Sequence, residues 1–356
     1  MASLGEFEQG VPILKLVRDL YPKHKIVISF FSPSGYEQKK KTPLADAVVY
    51  LPLDTVDNAE RFIDLVHPEL VIFIKYEFWP NYLKELSKRK IRTLLVSGGF
   101  RQDQLFFKSY GSWMRRSLES FEHFFVQNKE SEKLLNSIGF ENVTVSGDTR
   151  FDRVAAQLQQ NNKLDFIEEF LSGKLCIVAG STWPEDEKLL IDFINNDISD
   201  SKYIIAPHQI KREAIIDLKD KIEKKVILFS EKNNKALSEY RVLIVDTIGL
   251  LTRIYNYADI AYVGGAAGKT GLHNILEAAT FGVPVITGKN IKNFPEAIQL
   301  RKLAGLFTVE NNAELEEILT KLINDKSFRE KSGMIAGHFI NRNQGATEII
   351  GEYLRR

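Results

Sequence analysis

Apolar runs of strand length alternate with amphipathic helical stretches along nearly the whole chain, and this alternation constrains the fold more than any other feature. It predicts an α/β protein on parallel sheets, because each strand is followed by a helix that crosses back over the sheet. In the first half the predicted strands are Lys25 to Phe31, Ala47 to Leu51, Leu70 to Ile74, Thr93 to Val96, His123 to Val126 and Val143 to Val145. In the second half they are Leu175 to Ala179, Tyr203 to Ala206, Val226 to Phe229, Val242 to Val245, Ile260 to Val263 and Val283 to Ile286, after which only helices are expected. A polar run rich in Gln and Asn, Gln157 to Asp165, reads as a linker. At 356 residues the chain exceeds what one core usually supports. The expected division is residues 1–160, residues 161–340 and a closing helix over 341–356. Two Rossmann-like, doubly wound domains facing a central cleft are expected, with ligands at the carboxyl edges of the sheets.

A formal net charge of +1 gives no global attraction to nucleic acid, so any anionic partner must be met by local patches. Cys176, the one cysteine, lies in the apolar run Leu175-Cys176-Ile177-Val178-Ala179 and reads as a core residue of a reducing compartment. The six histidines never take metal-ligand spacing, and neither a metal nor a cofactor is expected. No apolar run is long enough to span a bilayer.

Ser3-Leu4-Gly5-Glu6 opens straight into apolar positions at helical spacing, Val11, Leu14, Val17 and Leu20. Glu6 is therefore predicted at a helix N-terminus on a sheet edge, where it can serve as a general base, with the ordinary role of a first-turn Glu, complementing the helix macrodipole, as the competing reading. A doubly wound domain needs a strand leading into this loop, yet only Met1 and Ala2 precede Ser3, so the first strand is expected to lie outside this sequence.

The second half carries the clearer ligand signal. Strand Ile260 to Val263 runs into Gly264, Gly265, Gly268 and Gly271, then His273-Asn274-Ile275-Leu276-Glu277, predicted as the start of a helix. Glycines admit a ligand close to the backbone and a helix N-terminus offers N–H groups to phosphate. Glu277, about one turn in, can accept from two ribose hydroxyls. Ser181 and Thr182 after one strand, His208 after the next and Asp246 after another are candidates for ligand contacts, with capping as the competing role for each.

Taken together, Ser3 to Gly10, Glu77-Phe78-Trp79-Pro80-Asn81, Gly147 to Asp152, Gly180-Ser181-Thr182 and Gly271 to Glu277 resemble the 3-deoxy-D-manno-octulosonic acid (Kdo) transferases of lipopolysaccharide synthesis. The resemblance implies a GT-B enzyme that transfers Kdo from CMP-Kdo to a lipid A precursor with inversion and without metal. It implies Glu6 as the general base, Glu77 as a second carboxylate, and Asn274 and Glu277 at the donor; Ser3 and Gly5 of the same first loop are taken as substrate contacts. It further implies work at the cytoplasmic face of the inner membrane and an N-terminal anchor. The chain departs from the family where Pro207-His208-Gln209 replaces Pro-Arg-His, leaving Lys211 or Arg212 for a phosphate, and where Ser97 to Arg101 replaces an Asn-Ala-Arg segment. Phe100, Leu105, Phe106, Phe107, Tyr110, Trp113 and Met114, interleaved with Arg101, Lys108, Arg115 and Arg116, are expected to form part of an acceptor or membrane face. The competing expectation is that about half of them pack into the core.

Overall fold

The computed structural model describes Met1 and residues 3–356, and the chain divides into two compact units. One comprises Met1–Arg153 with Asn343–Arg356, the other Val154–Arg342. The division falls inside the helix Thr149–Ala155, ahead of the polar linker, and residues 343–356 belong to the first unit. Asp152 explains that membership. Its carboxylate accepts the N–H of Gly345 and of Thr347, each at 2.7 Å, capping the helix Ala346–Leu354.

The first unit has strands β1 (Val27–Phe30), β2 (Ala47–Tyr50), β3 (Leu70–Ile74), β4 (Arg92–Gly98), β5 (His123–Val126) and β6 (Val143–Val145). They form two parallel sheets, β1-β2 and β3-β4-β5-β6. The helix Leu4–Leu20 covers both. Its Phe7 and Leu14 pack with Ile28 and Phe30, while Ile13 packs with Ile74, Val96, Phe125 and, from the C-terminal helix, Ile350 and Leu354. Burial of such a two-sided apolar helix surface stabilises each sheet by the area it removes from water.

The second unit is one seven-stranded parallel sheet of β7 (Cys176–Thr182), β8 (Lys202–Pro207), β9 (Val226–Leu228), β10 (Val242–Ile244), β11 (Ile260–Val263), β12 (Val285–Gly288) and β13 (Leu306–Val309), ordered β13-β12-β11-β7-β8-β10-β9. β13 corrects the expectation of helices only after Ile286; this four-residue strand pairs with β12 at the sheet edge. The strand order reverses at β7, which lies between β8 and β11. That reversal is where doubly wound sheets open a crevice at their carboxyl ends. Cys176 is fully buried and its thiol pKa is pushed well up by that burial, as befits a core residue. Among the described residues no helix is long and apolar enough to cross a membrane. The chain is an α/β protein of GT-B type with two Rossmann-like sheet domains.

Candidate functional site

In the first unit Glu6 is the third residue of the helix Leu4–Leu20 and turns back on Ser3, whose N–H it accepts at 2.6 Å and whose hydroxyl also bonds the same carboxylate oxygen. The two residues form a capping box with the acid in the first helical turn, where it complements the macrodipole, and this fixes the carboxylate at the helix entrance. Gly5 in that first turn is exposed. Glu77, which follows β3, is only 5% exposed and accepts the Trp79 indole N–H at 2.6 Å. The structure brings the two carboxylates to one group, the Met1 ammonium, whose pKa burial lowers against the opposing pull of Glu77 and then Glu6.

The Gly147 to Asp152 motif fastens the unit together. Gln9 donates to Asp148 at 3.0 Å, the Thr149 hydroxyl donates to the Gln9 carbonyl at 2.6 Å, and Ser97 and Thr149 share a hydrogen bond of 2.9 Å. Burial opposes the charge on Asp148, yet Arg150 and Gln9 outweigh it and hold the carboxyl below its ordinary range.

The aromatic segment divides. Phe100 and Phe106 are buried in a core with Leu118 and Phe124, against which Phe107 and Met114 pack, so these four do not belong to an exposed face. Leu105, Tyr110 and Trp113 remain exposed at 42%, 69% and 57%. Arg115 donates to the Lys108 carbonyl at 3.2 Å and is tied into the fold, whereas Arg116 is exposed.

In the second unit the loops after β7, β8 and β11 meet. The backbone N–H of His208 donates to the Thr182 carbonyl at 2.9 Å, and its ring stacks on Trp183 with centroids 4.8 Å apart. Trp183 in turn donates its indole N–H to His273 Nε2 at 2.9 Å. Burial pushes the pKa of His273 down to about 4, with the neighbouring His208 adding to the shift. Because Nε2 accepts, the ring is neutral and carries its proton on Nδ1.

Asp186 ties the β11 loop to the helix Pro184–Asn196 by accepting the N–H of Gly265 at 2.8 Å, the N–H of Trp183 at 3.0 Å and the Tyr262 hydroxyl at 2.9 Å. Two glycines permit this approach. A Cβ on Gly264 would stand 2.4 Å from the Ser181 carbonyl oxygen, and Gly265, at φ +96°, would place one 2.1 Å from the Gly271 carbonyl oxygen. Ser181 itself holds a left-handed backbone at φ 55°.

The helix expected to open at His273 begins at Leu276, with Ile275 as its N-cap, and lasts four residues; ahead of it the Asn274 side chain accepts the Leu276 N–H at 3.2 Å. So short a helix adds little dipole for a phosphate. Asn274 also donates to Glu277 at 3.3 Å. Tyr255, buried, has its phenol pushed up first by burial and then by the Glu277 charge, and a Cβ on Gly180 would collide with its hydroxyl at 2.1 Å. Gly180 and Glu277 are thereby neighbours of one tyrosine. Thr182 is buried and donates to Glu187 at 2.9 Å, a structural bond, while Asp246 accepts the Ser230 N–H at 2.9 Å instead of joining the loop cluster. Trp183, Asp186, Tyr255 and Tyr262 were not among the sequence candidates. Only Asp186 had a local signal, its place three residues into a helix whose entrance it caps.

Residues 1–153 match the family described as 3-Deoxy-D-manno-octulosonic-acid transferase (kdotransferase). The 3-deoxy-D-manno-octulosonic acid transferase of Haemophilus influenzae is 28% identical over 99% of this chain and 85% of its own length. That of Aquifex aeolicus is 29% identical over 99% of this chain and 92% of its own. Among solved structures, a UDP-GlcNAc 2-epimerase from Neisseria meningitidis bound to UDP-GlcNAc shares the fold at a TM-score of 0.68, with 14% identity over 99% of this chain and 97% of that one. The chain thus shares the GT-B fold and is related to the Kdo transferases at 23–29% identity over most of its length.

Proposed function

We propose that the chain transfers Kdo from CMP-Kdo to a lipid A precursor, with the donor held in the second unit and the acceptor activated in the first. The observation that carries this reading is the Glu6 carboxylate fixed at a helix entrance, within residues 1–153 that match the Kdo transferase family. Both bonds from Ser3 fall on Oε2, so Oε1 is the oxygen available to an incoming hydroxyl. Glu6 would take the proton of the acceptor hydroxyl as its oxygen bonds to the anomeric carbon, while the bond from that carbon to the CMP phosphate breaks and CMP leaves with the electron pair. Glu77 would add charge at the same edge. Ser181, His208, Gly264, Gly265 and Gly271 would line the donor, and Asn274 with Glu277 would take nucleotide hydroxyls.

A second reading is an epimerase or hydrolase of a sugar nucleotide, which the fold shared with the UDP-GlcNAc 2-epimerase favours. The test is CMP release from CMP-Kdo with and without a lipid A precursor, with product mass. Transfer requires acceptor-dependent release and lipid-linked Kdo. Free Kdo formed without acceptor supports the hydrolase, conversion of UDP-GlcNAc to an epimer supports the epimerase, and tight CMP binding without turnover leaves a binding module.

Exposed Leu105, Tyr110 and Trp113 beside Lys108 and Arg116 support a peripheral membrane face, apolar side chains next to cations suiting an anionic glycolipid surface. Replacing Tyr110 and Trp113 by Ser should weaken binding to anionic vesicles. Equal binding would remove this face from the acceptor path.

A further inference from the structure

Trp183 and His273 meet edge to edge. Their planes lie within 14° of parallel with centroids 6.4 Å apart, and the indole N–H donates to Nε2 at 2.9 Å. His208 packs across the pair, its centroid 4.8 Å from Trp183 and 4.4 Å from His273. The backbones that carry the pair belong to one frame. The Trp183 N–H donates to Asp186, which also holds the Gly265 N–H, and the His273 N–H donates to the Gly264 carbonyl at 3.1 Å.

An indole N–H can only donate, so Nε2 must present its lone pair and the imidazole proton is confined to Nδ1. The position of that N–H follows from the packing. The Cδ2 edge of the ring faces Gly265, where an added Cβ would lie 3.0 Å away, and Nδ1 stands on the opposite edge of the ring. Among the described residues Nδ1 has no hydrogen-bond partner, and the ring is only half-buried. Its place is the loop after β11, beside the loop after β7, at the point where the strand order reverses. An oriented, unpaired N–H there calls for an acceptor, and a charged acceptor gains most from it. The bond from Trp183 polarises the imidazole and strengthens donation from its other nitrogen.

We propose that His273 donates through Nδ1 to an anionic oxygen of the ligand held in the second unit, and that Trp183 is the positioning residue that keeps the proton on that nitrogen. This rests on the donor reading given above, which offers two sources of such an oxygen, the nucleotide phosphate and the carboxylate of the sugar acid. Without the indole the ring can take the Nε2–H form that imidazole prefers in water. Nδ1 then turns a lone pair toward the anion, and the contact becomes repulsive.

The test starts from long-range proton–nitrogen NMR spectra of the histidine rings near neutral pH. In the wild type His273 should be protonated at Nδ1 and not at Nε2, and Trp183→Phe should shift it toward the Nε2–H form. A wild-type ring already in the Nε2–H form overturns the proposal, whether or not the variant folds. CMP, cytidine and free Kdo are then added to the wild type. A change at Nδ1 with CMP and none with cytidine assigns the phosphate, a change with Kdo assigns the carboxylate, and no change with either bound anion overturns the proposal. By calorimetry, affinity for the ligand that moves Nδ1 should fall ~5-fold in Trp183→Phe and at least ~10-fold in His273→Gln. It should stay within ~3-fold of wild type in His273→Asn, whose amide N–H stands near the place of Nδ1. Equal affinity in all three variants overturns this proposal and leaves the donor reading standing, whereas a wild type that binds neither CMP nor Kdo overturns both.

Discussion

The Asp186 carboxylate accepts the Gly265 N–H at 2.8 Å across 79 residues of sequence, and this bond holds the β11 loop against the start of the helix after β7. The carboxylate has no exposed surface. Burial pushes its pKa up, while the donors Gly265, Trp183 and Tyr262 pull it back. Asp186→Ala would strand those donors in the interior at about 1–3 kcal/mol each before relaxation. We expect a net loss of about 2–4 kcal/mol in urea unfolding and at least ~10-fold weaker CMP binding by calorimetry, with Asp186→Asn intermediate. Unchanged CMP affinity in a folded Asp186→Ala protein would show that the loop does not shape the donor site.

Glu6 combines a cap with the proposed chemistry, and two substitutions separate them. Glu6→Gln keeps a carbonyl oxygen that can accept the Ser3 N–H, so folding and CMP affinity should stay near wild type while turnover falls ~100-fold or more. Glu6→Ala loses the cap as well and should cost about 1 kcal/mol of stability. Near-normal turnover in Glu6→Gln would remove Glu6 from the reaction.

Glu277 accepts from Asn274 at 3.3 Å and lies near the buried Tyr255 hydroxyl. If its carboxylate takes nucleotide hydroxyls, Glu277→Ala should weaken CMP by about 10-fold, the scale of leaving such groups unpaired. Equal CMP affinity by calorimetry would place the nucleotide elsewhere.

The strands of both units were largely legible because parallel, doubly covered strands are short apolar runs bounded by polar turns. β13 was not. Leu306-Phe307-Thr308-Val309 is a brief run at a sheet edge, and its identity as a strand depends on pairing with β12. The helix after the glycine loop starts at Leu276 and not at His273, with the Asn274 side chain turned back to accept the Leu276 N–H, a local bond that apolar spacing does not report. The contacts that assemble the loops of the second unit lie beyond local pattern: Trp183 meets His273 across 90 residues, and no spacing rule reports that. In the aromatic segment, composition announced an amphipathic surface but could not say that Phe100 and Phe106 turn inward while Tyr110 and Trp113 turn out.

His273 gives the second unit a pH dependence whose sign follows from its surroundings. Its ordinary pKa of 6.5 falls to about 4 in the fold, through burial first and His208 second. The folded protein therefore keeps the ring neutral where the unfolded chain takes up a proton. Above about pH 6.5 the group contributes no difference; as pH falls from there to about 4, the unfolded state is favoured progressively and stability is lost. The full shift bounds the loss at ~3 kcal/mol, reduced by solvent reaching a partly exposed ring. Protonation at Nε2 would also set two donors against each other, since the Trp183 indole already donates there at 2.9 Å. Urea midpoints between pH 7 and pH 4.5 should thus fall in the wild type and fall less in His273→Gln, whose side chain does not titrate. Trp183→Phe removes the indole donor and should raise the pKa of His273 by NMR titration, flattening the slope in the same direction. Parallel stability curves for wild type and His273→Gln would show that other groups set the acid sensitivity of this protein.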